Sequence, residues 1–386
     1  MNAPSEPSLA FFGDNDGGRV VVVDLTSWKQ LHDIGTGSGP YPVDRVGPDL
    51  LFASTRRDEA MSVIKLASLT VEHTLELRHT PRSTTPHPSR PLALVSGGNR
   101  ALTSVIDVSG PPKVLEVVGS GEALSPAENP SIDFGGQLAT GHPAWLDEGT
   151  RFFQLNRITR RLQVYDVGAS QPLWSVNVPT SIHHILRYPG ENGRWYAVCE
   201  GNQFSRTPPS LLRLEEQAGR FAVTSQLFLP VPLQALPNAG GHHSDRAPDD
   251  AHVYFGSAEG SLYVINRHRM EVVDRLDAGK GCGHTRVARG RGLGIITNHD
   301  DSFLTVFDIA ARKVVKTIQI TSGTTKPQKK QQGHTSGVDP QERYYYHTAS
   351  IDGRVLRIDL DRLDISDADY IDVGGYPIQG DFVWRD

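Results

Sequence analysis

Aligning this chain on itself brings Tyr41, His87, His142, His184, His243, His284, His334 and Tyr376 into one register. Each opens a short strand-like run, and they recur at intervals of 41 to 59 residues. With 15 His in 386 residues, filling six of eight equivalent places with histidine by accident is improbable. Repeats that each deliver an imidazole to one place build a site, and neutral imidazole is a favoured ligand of zinc, copper and iron. Without an ion, packed imidazoles would repel on protonation and leave buried donors unsatisfied. Six rings at one level cannot all approach one ion at about 2 Å. Either three or four hold a single ion, or two ions sit side by side. No carboxylate occupies the register, which disfavours magnesium and calcium. Zinc, copper and iron remain open.

Further candidates flank this ring. His183 and His242 each precede a ring member, and strand alternation points them away unless a local bulge lets both neighbours look inward. They are expected as additional ligands. His299, in the turn Asn298-His299-Asp300-Asp301, is placed to overhang the ring. Together with Tyr41 and Tyr376 it is a candidate for moving protons, although either tyrosine could equally be channel filler. Cys282 is either a soft ligand or, more commonly for a lone thiol, a buried apolar group. His32, His73, His79, His252, His268 and His347 fall off register and are assigned surface or packing roles.

The elements that must position these residues repeat in phase with them. After each register point come a β-rich run, a short Gly/Asp/Asn/Ser turn and an apolar run ending in a polar residue. Examples of the last are Val105-Ile106-Asp107, Val264-Ile265-Asn266 and Val306-Phe307-Asp308. A fourth β-like stretch follows, such as Val314 to Ile320. Four short strands per repeat with almost no helical periodicity indicate an all-β, single β-propeller domain over residues 1–386. Eight four-stranded blades are expected, with seven as the fallback. The N-terminal unit lacks its first strand and Tyr376 to Trp384 supplies one, so the C-terminal strand should close the ring onto the first blade. The recurring Asp at third-strand ends (Asp24, Asp107, Asp166, Asp308, Asp359) is turn chemistry. Two long insertions, Gly119 to Thr140 and Gly201 to Ser210, should lie over the channel mouth that carries the histidines.

The net charge of −5 gives no reason to expect nucleic acid, and the one basic run, Lys326 to Lys330, is read as a solvated loop. No stretch reaches membrane length and no signal peptide is visible, so a cytoplasmic monomer is expected, or a periplasmic one if a signal has been trimmed. Two cysteines make no disulfide framework. No nucleophile motif, P-loop or dinucleotide fingerprint is present.

The run Thr297-Asn298-His299-Asp300-Asp301-Ser302-Phe303-Leu304-Thr305-Val306-Phe307-Asp308 resembles the strand–turn–strand phrase of the YVTN-type propeller group. That resemblance implies fold far more than function. Within that group the strand-start histidines are similar in style to periplasmic zinc-chaperone propellers, but an export signal and a His-rich acidic loop are missing. Haem-binding nitrite reductase propellers share the eight-blade plan. Propeller oxygenases that hold iron with four histidines show that such a ring can catalyse. Two functions follow from the residues. One is a metalloenzyme, favoured here as an oxidoreductase, activating dioxygen or water on a small-molecule substrate. The other is a metal carrier or sensor. A protein-interaction scaffold with an incidental ring is the remaining alternative.

Overall fold

The computed structural model describes residues 8–124, 138–202, 205–323, 331–334 and 336–385. Residues 125–137 and 203–204 of the two long insertions, and the basic run Lys326–Lys330, lie outside the described residues. The described chain forms eight four-stranded antiparallel sheets arranged as propeller blades. The first blade pairs Leu9–Asp14, Arg19–Asp24 and Lys29–Gly35 with the last strand of the chain, Pro377–Val383. Leu9 pairs with Val383 and Ala10 with Phe382 across that seam, so the two chain ends close the ring.

Why these runs become buried strands is plain from their residues. The second and third strands of each blade, such as Leu9–Phe12 and Val20–Val23, are largely aliphatic or aromatic and lie between two neighbouring sheets. They therefore read as continuous apolar runs. The outermost strands face solvent on one side, as in Lys313–Gln319, where only Ile318 is buried. The core is accordingly divided into slabs, each shared by adjacent blades. Phe153 and Leu155 of the fourth blade meet Trp195, Leu212 and Phe221 of the fifth. Tyr196 and Leu211 of the fifth meet Phe255 and Tyr263 of the sixth. Third-strand aspartates fasten the turns as their position implies: Asp24 accepts from the amides of Thr26 and Ser27, and Asp359 from those of Asp361 and Arg362.

The innermost strands line the channel, and nearly all share one irregularity at their start. In the sixth blade Gly241 pairs with Ser257 and Ser244 with Phe255, so two residues, His242 and His243, oppose one. The same bulge recurs at Tyr41-Pro42, at Arg82, at His183 and at Gly283-His284. A bulge breaks the strict in–out alternation of a strand. Consecutive side chains at this level can then both face the channel, and the site depends on that.

Candidate metal centre

Counting from the bulge gives the ring its true register. His184, His243 and His284 occupy its second place in the fifth to seventh blades, Tyr41, Arg82, His183 and His242 occupy the first, and His142 and His334 stand just before the inner strands of the fourth and eighth blades, Ala144–Trp145 and Ser336–Val338. Paired histidines in the fifth and sixth blades therefore both turn inward, and His183 and His242 join the cluster. His242 lies 4.5 Å from His183 and 4.7 Å from His243, ring centre to ring centre. His243 stacks on His284 at 4.0 Å.

Two predicted members lie elsewhere. His87 follows the far end of its inner strand, Pro81–Pro86, and packs on Trp145 at 4.6 Å. Its Nε2 bonds the carbonyl of Gly149, and its Nδ1 accepts from the amides of Ser89 and Arg90. It organises a turn, and the ring place of the third blade belongs to Arg82. The cause is a misleading dipeptide. His87-Pro88 mimics Tyr41-Pro42, but the proline that marks the register is the one before the bulge, in Pro40, Pro81 and Pro377. Tyr376 precedes that proline; it is fully buried against Ile351 and Ile378, and its hydroxyl donates to the carbonyl of Gln331. Tyr41 does reach the cluster, with its hydroxyl 3.3 Å from His334 Nε2.

A second tier overhangs the ring from the residue that follows the second strand: Arg56, Arg157, Glu200 and His299 in four different blades. His299 is drawn fully into the cluster, stacked on His334 at 4.8 Å and 4.8 Å from His242. Gly283 makes this possible. A Cβ there would stand 2.2 Å from His299 Nε2 and 3.2 Å from His242 Nδ1. Cys282 is wholly buried, burial pushes its thiol up, and it belongs to none of the ligand groups described next.

Among the described residues, three groups of imidazoles could hold an ion, each with ligand nitrogens within 4.8 Å of one another: His142/His183/His243, His242/His243/His284 and His284/His299/His334. The groups overlap. The two end groups share no residue, and the middle one shares His243 with the first and His284 with the last. His184 stacks beside His243 at 4.8 Å but belongs to no group.

The electrostatics keep these rings available as ligands. Burial, reinforced by the neighbouring imidazoles and arginines, holds His142, His183, His242, His243, His284 and His334 well below the usual 6.5, and His184 is held down to about 4. Neutral imidazole keeps a lone pair for a metal. Hydrogen bonds orient two of the rings. His183 Nδ1 lies 2.7 Å from Glu200 Oε1, whose other oxygen takes Arg157, and His299 Nδ1 lies 2.9 Å from the carbonyl of Gly333. A metal-bound histidine is held in this way through its second nitrogen. On the opposite edge, His242 Nδ1, His284 Nε2 and His299 Nε2 are buried without a partner. Unpaired buried nitrogens cost free energy, and coordination would satisfy all three. The donor set therefore fits a transition metal that accepts nitrogen ligands, such as zinc, copper or iron.

The cluster lines a cavity of about 600 Å³ at the channel mouth, together with Tyr41, Arg56 and Arg82. Leu124, Leu138, Gly201 and Asn202 bring the two long insertions to its lining. Burial beside Arg157 pushes the Arg82 guanidinium down to about 9, which leaves it charged at neutral pH. Sequence reasoning missed Arg56, Arg82 and Arg157. The signal for Arg82 was present, because it directly follows the register proline Pro81.

Fold and site together define an eight-bladed β-propeller with a candidate imidazole metal centre at one mouth of its channel. No protein-family model matches the chain, and no curated protein matches it in sequence. Among solved structures its fold is similar to dihydro-heme d1 dehydrogenase NirN in complex with DHE, with a TM-score of 0.70 and 12% identity over 98% of this chain and 76% of that one. It is also similar to apo AztD from Citrobacter koseri, with a TM-score of 0.63 and 12% identity over 99% of both chains. Kuenenia stuttgartiensis hydrazine synthase gives 0.54 and 13% over 82% of this chain and 93% of that one. At such identities the likeness carries the fold alone.

Proposed function

We propose that this chain is a YVTN-type propeller that binds transition metal ions through imidazoles alone. The single observation carrying the proposal is the set of three overlapping histidine triads, in which His242 Nδ1, His284 Nε2 and His299 Nε2 are buried without a partner. Because the end triads are disjoint, the site accommodates two ions at most. Because the middle triad borrows a ligand from each, an ion can pass between the ends by exchanging one imidazole at a time. That overlap favours a protein that holds metal and hands it on, with zinc, an ion of pliable geometry, as its cargo.

A second reading is favoured by a different observation, the open cavity against the cluster. It is a metalloenzyme, with iron or copper activating dioxygen or water on a small-molecule substrate. Tyr41, hydrogen-bonded to His334, would be the proton-moving group.

Elemental analysis of the purified protein, with absorption and EPR spectra, tests both. Zinc removable by mild chelators without unfolding supports the carrier. Firmly held iron or copper with an open coordination position supports the enzyme. Failure of the metal-free protein to take up any of the three ions at micromolar concentration would sink the proposal.

A further inference from the structure

The third blade breaks the histidine pattern in a specific way. At the bulge, where the fifth and sixth blades place His183 and His242, it places Arg82. Arg82 is only 5% exposed, lines the cavity, and buries its Nε and Nη1 without a hydrogen-bond partner. Leaving a guanidinium desolvated and unpaired is costly, and structures normally avoid it. Arg157, whose Nε is likewise unpartnered, lines the same cavity, and its other contact is the carboxylate Glu200 already shared with His183. A guanidinium presents planar forks, Nε with Nη2 and Nη1 with Nη2, that match the two oxygens of a carboxylate or phosphate, and the unmet donors on Nε and Nη1 leave one prong of each fork free.

We propose that Arg82, seconded by Arg157, forms an oxyanion subsite facing the histidine cluster, so that the cavity takes a small molecule bearing a carboxylate or phosphate group. Its place beside a metal rests on the function proposed above, but the anion binding itself does not. A dication among neutral imidazoles, beside two guanidiniums, is a strongly positive site, and an incoming anion offsets that charge. In the carrier reading the anion accompanies the ion; in the enzyme reading it is the handle of the substrate.

The test is titration calorimetry on metal-free protein with succinate and, separately, inorganic phosphate, repeated on zinc-loaded protein. At least one of the two should bind to metal-free protein. Arg82→Gln should weaken that binding about ten- to a hundredfold, the range for a lost charge-assisted hydrogen bond. Arg82→Lys, which keeps the charge and loses the fork, should fall between, and it replaces Arg82→Gln if that variant does not fold. Arg220→Gln, on an exposed outer strand, should change nothing. Which anion binds better identifies the source of the oxyanion. Binding of neither anion, or binding undiminished in a folded Arg82 variant, overturns the subsite. Anion binding seen only with zinc and indifferent to Arg82 also overturns it, because the metal alone would then hold the anion. Removing that positive charge should leave zinc uptake by Arg82→Gln at or above that of the unaltered protein, so failure here is separable from failure of the metal site.

Discussion

Replacing His284 with alanine is the sharpest perturbation of the candidate centre, because His284 serves two of the three triads. Its ring lies 4.0 Å from His243 and 4.9 Å from His334, so its loss opens the middle triad and one end triad together. Only His142/His183/His243 stays complete. Apparent binding free energies at four-ligand zinc sites are about 10–16 kcal/mol, which assigns about 3 kcal/mol to each ligand. At 1.4 kcal/mol per decade, removing one ligand weakens the affected triads by about a hundredfold. Titrating metal-free protein with zinc against a chromophoric chelator should therefore show up to two ions in the unaltered protein and one tight ion in His284→Ala. His347 is the matched control. It is a fully buried histidine with both nitrogens engaged, Nδ1 with the carbonyl of Thr348 at 2.7 Å and Nε2 with Thr297 at 3.2 Å. His347→Ala should lower thermal stability and leave zinc uptake intact. Equal zinc uptake in His284→Ala and the unaltered protein, or equal loss in both variants, would refute the reasoning.

Other perturbations separate the parts of the site. Glu200→Gln keeps the size of the side chain but removes the charge that orients His183; it should weaken zinc binding at the His142/His183/His243 triad about ten- to a hundredfold and spare the other end triad, as read by the same chelator competition. Gly283→Ala forces His299 away, given the 2.2 Å approach of the added carbon; one bound ion should be lost while the far-ultraviolet circular dichroism stays unchanged. Asp44 gives a pH prediction outside the cluster. Burial, with Asp381 nearby, raises its carboxyl from 3.8 to about 7. The folded state thus keeps a proton that the unfolded chain releases above pH about 4, so this group's contribution is fully present below that pH and is lost as pH rises through 7. Asp44→Asn removes that loss, and melting temperatures should favour the variant increasingly between pH 5 and pH 8; a constant difference would contradict the assignment.

Much of this architecture was legible in the residues. Four-strand periodicity, apolar runs such as Val20–Val23 and the missing first strand at the N-terminus are local consequences of chain chemistry, and they led to eight blades closed by Pro377–Val383. The shared register of His142, His184, His243 and His284 was equally readable, because equivalent positions in a repeat fold to equivalent places. What the sequence did not carry was the local geometry at each strand start. His87 and Tyr376 matched the pattern by neighbouring prolines, yet one lies at the far end of its strand and the other before the bulge. The bulges decided that His183 and His242 face inward, since one extra residue overrides strand alternation. Stacking His299 from its turn onto His334 of the next blade, and lining one cavity with Arg82 of the third blade and imidazoles of the fourth to eighth, required separate blades to meet. Contacts of that kind arise from packing around a closed ring, which only the tertiary structure determines.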